Sequence, residues 1–378
     1  MVEESDTAWQ FRGGGWSLAR QVACQLASVL PARWDSRRHV LMLSEVYRRG
    51  HGVPVVIAQH AACLVAAGIR VTIGGVLSGF DVESPGCRRV LLADARAAAA
   101  WSERHHVDVI VAHTPLFFAV AGHVGPRPAV IAYDYGEPPP GLFPDRERRE
   151  RQLAEKDAHL RLSRRVYAIS EAVAQESRVA VHGVIPLGNA HLGSWGHGEL
   201  RRRPGLRASR GWTDRFVVLD VCRFGSGERC YKGIDRFAET LRVMRDRCPD
   251  PERIVFVVAG KGMPEDVAAL RSEGLEVVAN PSDEDLHNLY VAADAYANFS
   301  RWEGYNLGIG QALSMGLPTI ASDIPAHRAF GIPVFAAAAP AAEWLAACRR
   351  DPPVREPRIT PWDASRRLFH AAVTDPDL

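Results

Sequence analysis

The sequence predicts an α/β protein of two Rossmann-like domains facing one another across a cleft. Three observations predict it. The chain has 378 residues, more than one comfortable core and suited to two domains of roughly 150 to 200 residues each. From residue 39 onward, short apolar runs alternate with amphipathic stretches, the βαβ rhythm of a parallel sheet. A segment rich in glycine and arginine, residues 192–215, breaks that rhythm once, and the rhythm then resumes.

The N-terminal Rossmann-like domain is expected over residues 38–190. Its first apolar run, 39–43, leads into the loop Arg49, Gly50, His51, Gly52. A helix follows, with Pro54 near its first turn and Gly68 beyond its end, a start and stop pair with a backbone cause. Further strands are predicted at 69–73, 107–112, 129–133 and 166–169, with a helix near 94–105. Residues 191–215 have linker composition.

The C-terminal domain, 216–355, has predicted strands at 216–221, 254–258, 275–279, 295–299 and 318–321. Before its fourth strand, Ser282 and Asp285 have the spacing of a reciprocal helix cap, and Leu286, Leu289, Tyr290 and Ala293 form the apolar face behind it. Residues 356–378 are expected to form a C-terminal helix that returns to the N-terminal domain. Residues 1–37 form an extension in which a helix over 16–30 aligns Leu18, Val22, Leu26 and Val29. That stripe carries few cations and is expected to pack on protein rather than on a membrane.

Composition narrows the function. Charged residues make up 24% of the chain and no window approaches the run of roughly 20 apolar residues that a membrane span needs. The acidic start, Glu3, Glu4 and Asp6, lacks the basic and apolar stretches of a signal peptide, so a cytoplasmic location is expected, with peripheral contact at the inner face of a membrane left open. Seven scattered cysteines without a CxxC spacing suggest neither a disulfide framework nor a zinc site. A net charge of +2 gives no general attraction to nucleic acid. Of the 46 basic residues only Lys156, Lys232 and Lys261 are lysine. In a chain that defaults to arginine, these three are candidates for positions that need a compact ammonium.

In an open parallel sheet, ligands bind beyond the carboxyl ends of the strands. In the second domain those positions agree with one another. Strand 216–221 runs into Arg223, Gly225, Gly227, Lys232 and Gly233; strand 254–258 runs into Gly260, Lys261 and Gly262; strand 295–299 runs into Glu303 and Gly304, with a helix starting near Asn306. Cations, glycines and a helix N-terminus on one rim describe a diphosphate site, because glycines admit the backbone and the helix end offers free N–H groups.

These residues also resemble a known family. Glu303-Gly304-Tyr305-Asn306-Leu307, followed by Gln311-Ala312-Leu313-Ser314-Met315-Gly316-Leu317-Pro318-Thr319-Ile320-Ala321-Ser322-Asp323, is similar to the glycosyltransferase family 4 pattern EGFGL, then EAMAxGxPVIASD. Arg223 with Lys232-Gly233, Gly260-Lys261-Gly262, Ile169-Ser170-Glu171 and Ile185-Pro186-Leu187-Gly188 resemble its flanking elements in the same order, across residues 39–325.

The resemblance implies the GT-B fold and a retaining transfer from a nucleotide sugar, with UDP, GDP and TDP sugars as candidate donors. Glycan, lipid-linked or small-molecule acceptors are the candidate acceptors, and no metal or other cofactor is implied. By position, Arg223 and Lys232 would hold the diphosphate and Glu303 the donor sugar. The amides of Asn306 and Leu307 would meet phosphate, with Gly50, Gly52, Gly260 and Lys261 around the donor. Gln311 stands where the family has a ribose-binding glutamate, eight residues beyond Glu303, and its amide can still hydrogen-bond a diol. His113 ends a strand at a place where related enzymes set a histidine beside the reacting sugar; a strand-end histidine satisfied by backbone is the alternative. Asp134 and Glu137 are candidates for acceptor binding or for a capped turn.

Other readings lack their parts. Asp283 and Asp285 have the DxD spacing of a metal-dependent transferase but open a helix, where acidic residues favour the dipole. No GxSxG, HExxH or Walker A sequence occurs. A GT-B protein that binds a nucleotide sugar without transfer is the rival suggested by Gln311, and a sugar-nucleotide epimerase shares the architecture.

Overall fold

A computed structural model describes residues 38–76, 82 and 84–378 of the chain. The extension 1–37, with its expected helix over 16–30, lies outside the described residues.

The first sheet has seven parallel strands in the order β3-β2-β1-β4-β5-β6-β7. They are β1 His39–Ser44, β2 Arg70–Gly75, β3 Arg88–Leu91, β4 Val109–Ala112, β5 Ala129–Asp134, β6 Arg165–Ala168 and β7 Gly183–Val184. The second has six, β10-β9-β8-β11-β12-β13, formed by β8 Phe216–Val221, β9 Ile254–Gly260, β10 Glu276–Ala279, β11 Ala295–Asn298, β12 Thr319–Ser322 and β13 Val334–Phe335. In both sheets the chain first builds outward to one edge and then crosses back to continue on the other side of its first strand, the doubly wound order. The crossovers leave a crevice beyond the ends of β1 and β4 in one domain and of β8 and β11 in the other.

Period-two alternation packs both faces of each sheet. Val40, Met42, Val109 and Val111 enter one core, and Leu41, Leu43, Ile110 and Ala112 enter the core behind it. In the second sheet Val218, Phe256 and Ala297 face the helices Ile234–Asp246 and Ala338–Arg350, while Val217, Leu219 and Val257 face Asp283–Ala292 and Leu307–Ser314. The strands missed by the apolar pattern are edge strands. Most of β3 is exposed, and β7 and β13 are two residues each, too short for any periodicity.

The linker composition at 191–215 does not produce an extended linker. A helix occupies His197–Ser209, with Pro204 inside it. An interior proline removes one helix hydrogen bond, at a cost of about 3 kcal/mol or more. Tertiary contacts offset it: buried Arg207 donates to the carbonyls of Ala292 and Trp212, each at 2.7 Å, and pairs with Asp294 at 3.0 Å. The helix therefore belongs to the second domain.

The C-terminal helix, Asp363–Thr374, crosses to the first domain. Its Phe369, Ala372 and Val373 join the core containing Ile57, Ala61 and Leu64 of the helix Gly52–Ala66. Phe369 stacks on buried His60 at 4.0 Å, and His60 Nε2 lies 2.9 Å from Ser365 Oγ. Among the described residues no helix is long and apolar enough to cross a membrane.

Candidate active site

A cleft of about 1430 Å³ lies between the carboxyl ends of the two sheets. Its second-domain wall is built by close backbone packing. Gly233 follows Lys232 in the left-handed region, and a β-carbon there would fall 1.8 Å from the carbonyl oxygen of Phe299. No other residue fits that turn, which presses Lys232 against the loop beyond β11. Lys232 Nζ accordingly lies 2.8 Å from Glu303 Oε1, with both side chains nearly buried. Ser300 Oγ donates to the same oxygen at 2.8 Å.

The Lys232 ammonium is secure. Burial opposes its charge, but the Glu303 carboxylate, aided by Tyr231, outweighs burial and raises its pKa above the ordinary lysine value. Beside the pair, Asn306 caps the helix Leu307–Ser314, its side chain accepting from Ile309 N–H at 3.0 Å. A lysine, a carboxylate and a helix N-terminus thus share one corner of the cleft.

Arg223 stands at the rim, with Nη1 3.0 Å from Glu228 and Nη2 donating to the Tyr231 hydroxyl at 3.2 Å. Lys261 reaches across the cleft, its Nζ 3.1 Å from His51 Nε2 of the first domain. The loop through Gly50 and Gly52 lies against this wall: a β-carbon on Gly50 would sit 3.7 Å from Lys261 Cβ, and one on Gly52 would sit 3.3 Å from Leu307 Cδ1.

On the first-domain wall, His113 is 1% exposed. Its Nδ1 lies 2.9 Å from the Tyr135 hydroxyl, while Nε2 has no partner. The backbone-satisfied alternative therefore does not describe it. Burial holds its pKa down to about 3, so the ring is neutral. Glu137 also lines the cleft and pairs with Arg149, whose guanidinium covers the Phe143 ring.

Two sequence-predicted residues are not part of the lining. Asp134 is buried in an ion pair with Lys156 at 2.6 Å and accepts from Gly136 N–H at 2.9 Å, so it is consumed in holding the turn after β5. Gln311 is fully buried and does not reach the cleft lining. Its Oε1 accepts from Leu192 N–H at 3.0 Å, and its Nε2 donates to Gly193 O at 2.7 Å and Ser314 Oγ at 3.0 Å. With both ends of the amide engaged, Gln311 fixes the segment that brings His191 and Leu192 to the cleft rather than meeting a ribose itself. Spacing along the helix gave its distance from Glu303 but not its direction.

Sequence reasoning missed the buried polar layer beneath the corner. Asp220 accepts from Asn298 Nδ2 at 2.8 Å, and Asn298 Oδ1 accepts from Asn306 Nδ2 at 3.1 Å. Burial pushes the Asp220 carboxyl up to about 7. A signal existed: Asp220 and Asn298 are polar residues inside strands otherwise apolar on both faces, where a polar group needs a partner.

Residues 215–350 match the family described as Glycosyl transferases group 1. The matched region holds Arg223, Lys232, Lys261 and Glu303, the charged side of the cleft. No curated protein matches the chain. Among solved structures, sucrose-phosphate synthase from Thermosynechococcus elongatus is similar with a TM-score of 0.68 and 18% identity, over 89% of this chain and 94% of that one. WaaG, a glycosyltransferase involved in lipopolysaccharide biosynthesis, gives 0.61 and 13%, over 89% and 96%. A UDP-forming α,α-trehalose-phosphate synthase from Burkholderia xenovorans, in complex with glucose-6-phosphate, gives 0.61 and 12%, over 89% and 96%. Likeness at these identities shows the fold, and the fold is GT-B.

Proposed function

We propose that the protein is a retaining glycosyltransferase that moves a sugar from a nucleotide sugar, bound on the group 1 region, to an acceptor hydroxyl at the first-domain wall. The observation that carries this reading is the buried Lys232 and Glu303 pair set beside the N-terminus of the helix Leu307–Ser314. A nucleoside diphosphate leaving group gains negative charge as the glycosidic bond breaks. Lys232, Arg223 and the free N–H groups of the helix end supply preorganised positive potential for that charge without a metal. Glu303 is placed to accept hydrogen bonds from sugar hydroxyls through the oxygen that Lys232 and Ser300 leave free. Opposite, His113 lines the cleft with its Nε2 buried and unpartnered, a neutral ring beside the proposed sugar position.

With Glu303 held by Lys232 and Ser300 and Glu137 paired with Arg149, the chemistry we infer is front-face substitution. The acceptor oxygen forms the new bond on the side the diphosphate leaves, and the acceptor proton passes to the departing phosphate oxygen. Positioning and electrostatics then supply most of the acceleration.

The test is a panel of UDP, GDP and TDP sugars, read first by thermal stabilisation and then by nucleoside diphosphate release with glycan, lipid-linked and small-molecule acceptors. Stabilisation by one donor class, with acceptor-dependent release and a product of unchanged anomeric configuration, is expected. Stabilisation without release across a broad acceptor panel would favour a sugar-nucleotide binder; an inverted product would overturn retention.

A further inference from the structure

Behind the charged corner, and outside the cleft lining, lies a histidine with no exposure to solvent, His327. Its Nδ1 is 3.0 Å from the carbonyl oxygen of Ser322 and 3.1 Å from Ser322 Oγ. The Ser322 hydroxyl donates its own hydrogen to the carbonyl of Ser300, so both Ser322 atoms face Nδ1 as acceptors. Nδ1 must therefore carry the proton, which leaves Nε2 bare.

That bare nitrogen lies 3.2 Å from Asn306 Nδ2. The Asn306 amide cannot be turned round, because its Oδ1 is the atom that caps the helix through Ile309 N–H. Its two amide hydrogens thus meet three acceptors: Asn298 Oδ1 at 3.1 Å, His327 Nε2 at 3.2 Å and Glu303 Oε1 at 3.4 Å. His327 and Asn298 are the nearer two. Their hold keeps the amide from transferring a full hydrogen bond to Glu303, whose same oxygen is engaged by Lys232 and Ser300.

We propose that His327 is a positioning residue: its unprotonated Nε2 locks the Asn306 amide, and through it the helix N-terminus and the Glu303 carboxylate, in the arrangement that receives the donor. This rests on the glycosyl-transfer reading. Without the acceptor, one Asn306 N–H is left in a buried site where only Glu303 can take it. The carboxylate is then pulled toward the helix cap and away from Lys232. Protonating the ring has the same consequence, since Nε2 becomes a donor facing a donor. Burial lowers the His327 pKa, with the Glu303 charge and the Ser322 carbonyl opposing and Lys232 assisting. The ring is thus neutral near pH 7, and its protonation lies below the ordinary histidine range.

The ring nitrogens are read directly by ¹⁵N NMR of the intact protein near neutral pH. A protonated Nδ1 with a bare Nε2 is expected; a protonated Nε2 overturns the proposal whether or not a donor is known. Turnover gives the second arm. His327→Leu should lower kcat by about 10- to 100-fold, the scale of a misplaced catalytic group, with a smaller change in donor KM. His327→Gln, which can present an acceptor oxygen near the Nε2 position, should recover much of that loss and abolish the acid limb that His327 gives the wild-type pH profile. Wild-type kinetics in both variants, or equal losses in Leu and Gln with the acid limb unchanged, would overturn the proposal. A wild type that shows the bare Nε2 but transfers no sugar would instead count against the transfer reading and leave the network standing.

Discussion

Gly304 of the second domain approaches the first so closely that a β-carbon on it would fall 2.1 Å from the carbonyl oxygen of Tyr135. The next bond holds the approach in place: Ser170 Oγ, from the first domain, donates to the Gly304 carbonyl at 2.6 Å. Gly304 directly follows Glu303, so the residue that lets the domains meet also sets the carboxylate at their boundary. Gly304→Ala is expected to leave each domain folded while forcing this contact apart. Turnover should fall at least tenfold, a sub-ångström displacement being enough at a preorganised site, with the far-ultraviolet spectrum unchanged. Normal turnover in this variant would show that the contact does not position Glu303.

Lys232 is the cation best placed to act on the leaving diphosphate. Lys232→Ala should lower kcat by roughly 10² to 10³, as loss of one preorganised electrostatic donor does, with a smaller effect on donor affinity. Lys232→Arg should rescue only partly, because a planar fork does not fit the space of a compact ammonium against Glu303 and Ser300. Nucleoside diphosphate release at saturating donor measures both.

Chelation should leave activity intact, since arginine, lysine and a helix end are the proposed charge-neutralising groups. Release assayed after dialysis against EDTA, with and without added manganese, decides it. Loss restored by the metal would contradict this account of the diphosphate site.

Gln311→Glu should destabilise the second domain rather than tighten the donor. A carboxylate would lose the donations to Gly193 O and Ser314 Oγ and set negative charge against a carbonyl oxygen, costing about 1 to 3 kcal/mol for the unmet buried groups. Denaturant unfolding and donor titration of the same protein separate the two effects. Unchanged stability with stronger donor binding would return Gln311 to the ribose.

Stability should decline in acid. Burial lowers His60 well below the ordinary histidine value of 6.5, His113 to about 3 and His191 to about 4, so between these values the unfolded chain binds more protons than the folded one. Their contribution is complete above about pH 6.5 and is lost as pH falls through the folded values. Asp220 runs the other way. Burial raises it from 3.8 to about 7, so its contribution is complete at low pH and is lost as pH rises toward and through 7. The three histidines outweigh the one opposing carboxyl, so wild-type Tm should fall from about pH 7 to pH 5, and Asp220→Asn should gain on wild type between about pH 4 and pH 7 and level off above. A difference independent of pH would show that Asp220 does not titrate in that range.

By itself the sequence determined the architecture and one side of the cleft. Parallel strands covered on both faces must be continuous apolar runs, so β8 is legible at both ends, β1 to within one residue and β9 to within two, and the residues just after them are the ones a doubly wound sheet delivers to its crevice. That is why Arg223, Lys232, Lys261 and Glu303 could be named from order alone.

Tertiary structure decided what depends on direction and partners. Helical spacing gave Gln311 a distance from Glu303 but not its partners, and packing engaged its amide with Leu192 and Gly193. Asp134 looked available until Lys156, brought from a helix over twenty positions later, neutralised it. The residues 197–209 carry the glycine, proline and arginine of a linker, yet contacts from Arg207 to Ala292 and Asp294 hold them as a helix. His327 carries no local mark at all, because its task depends on Ser322 and Asn306 reaching it from opposite sides. Strand ends follow from a pattern along the chain, whereas the hydrogen-bond partner of a buried polar atom is settled only when distant segments pack.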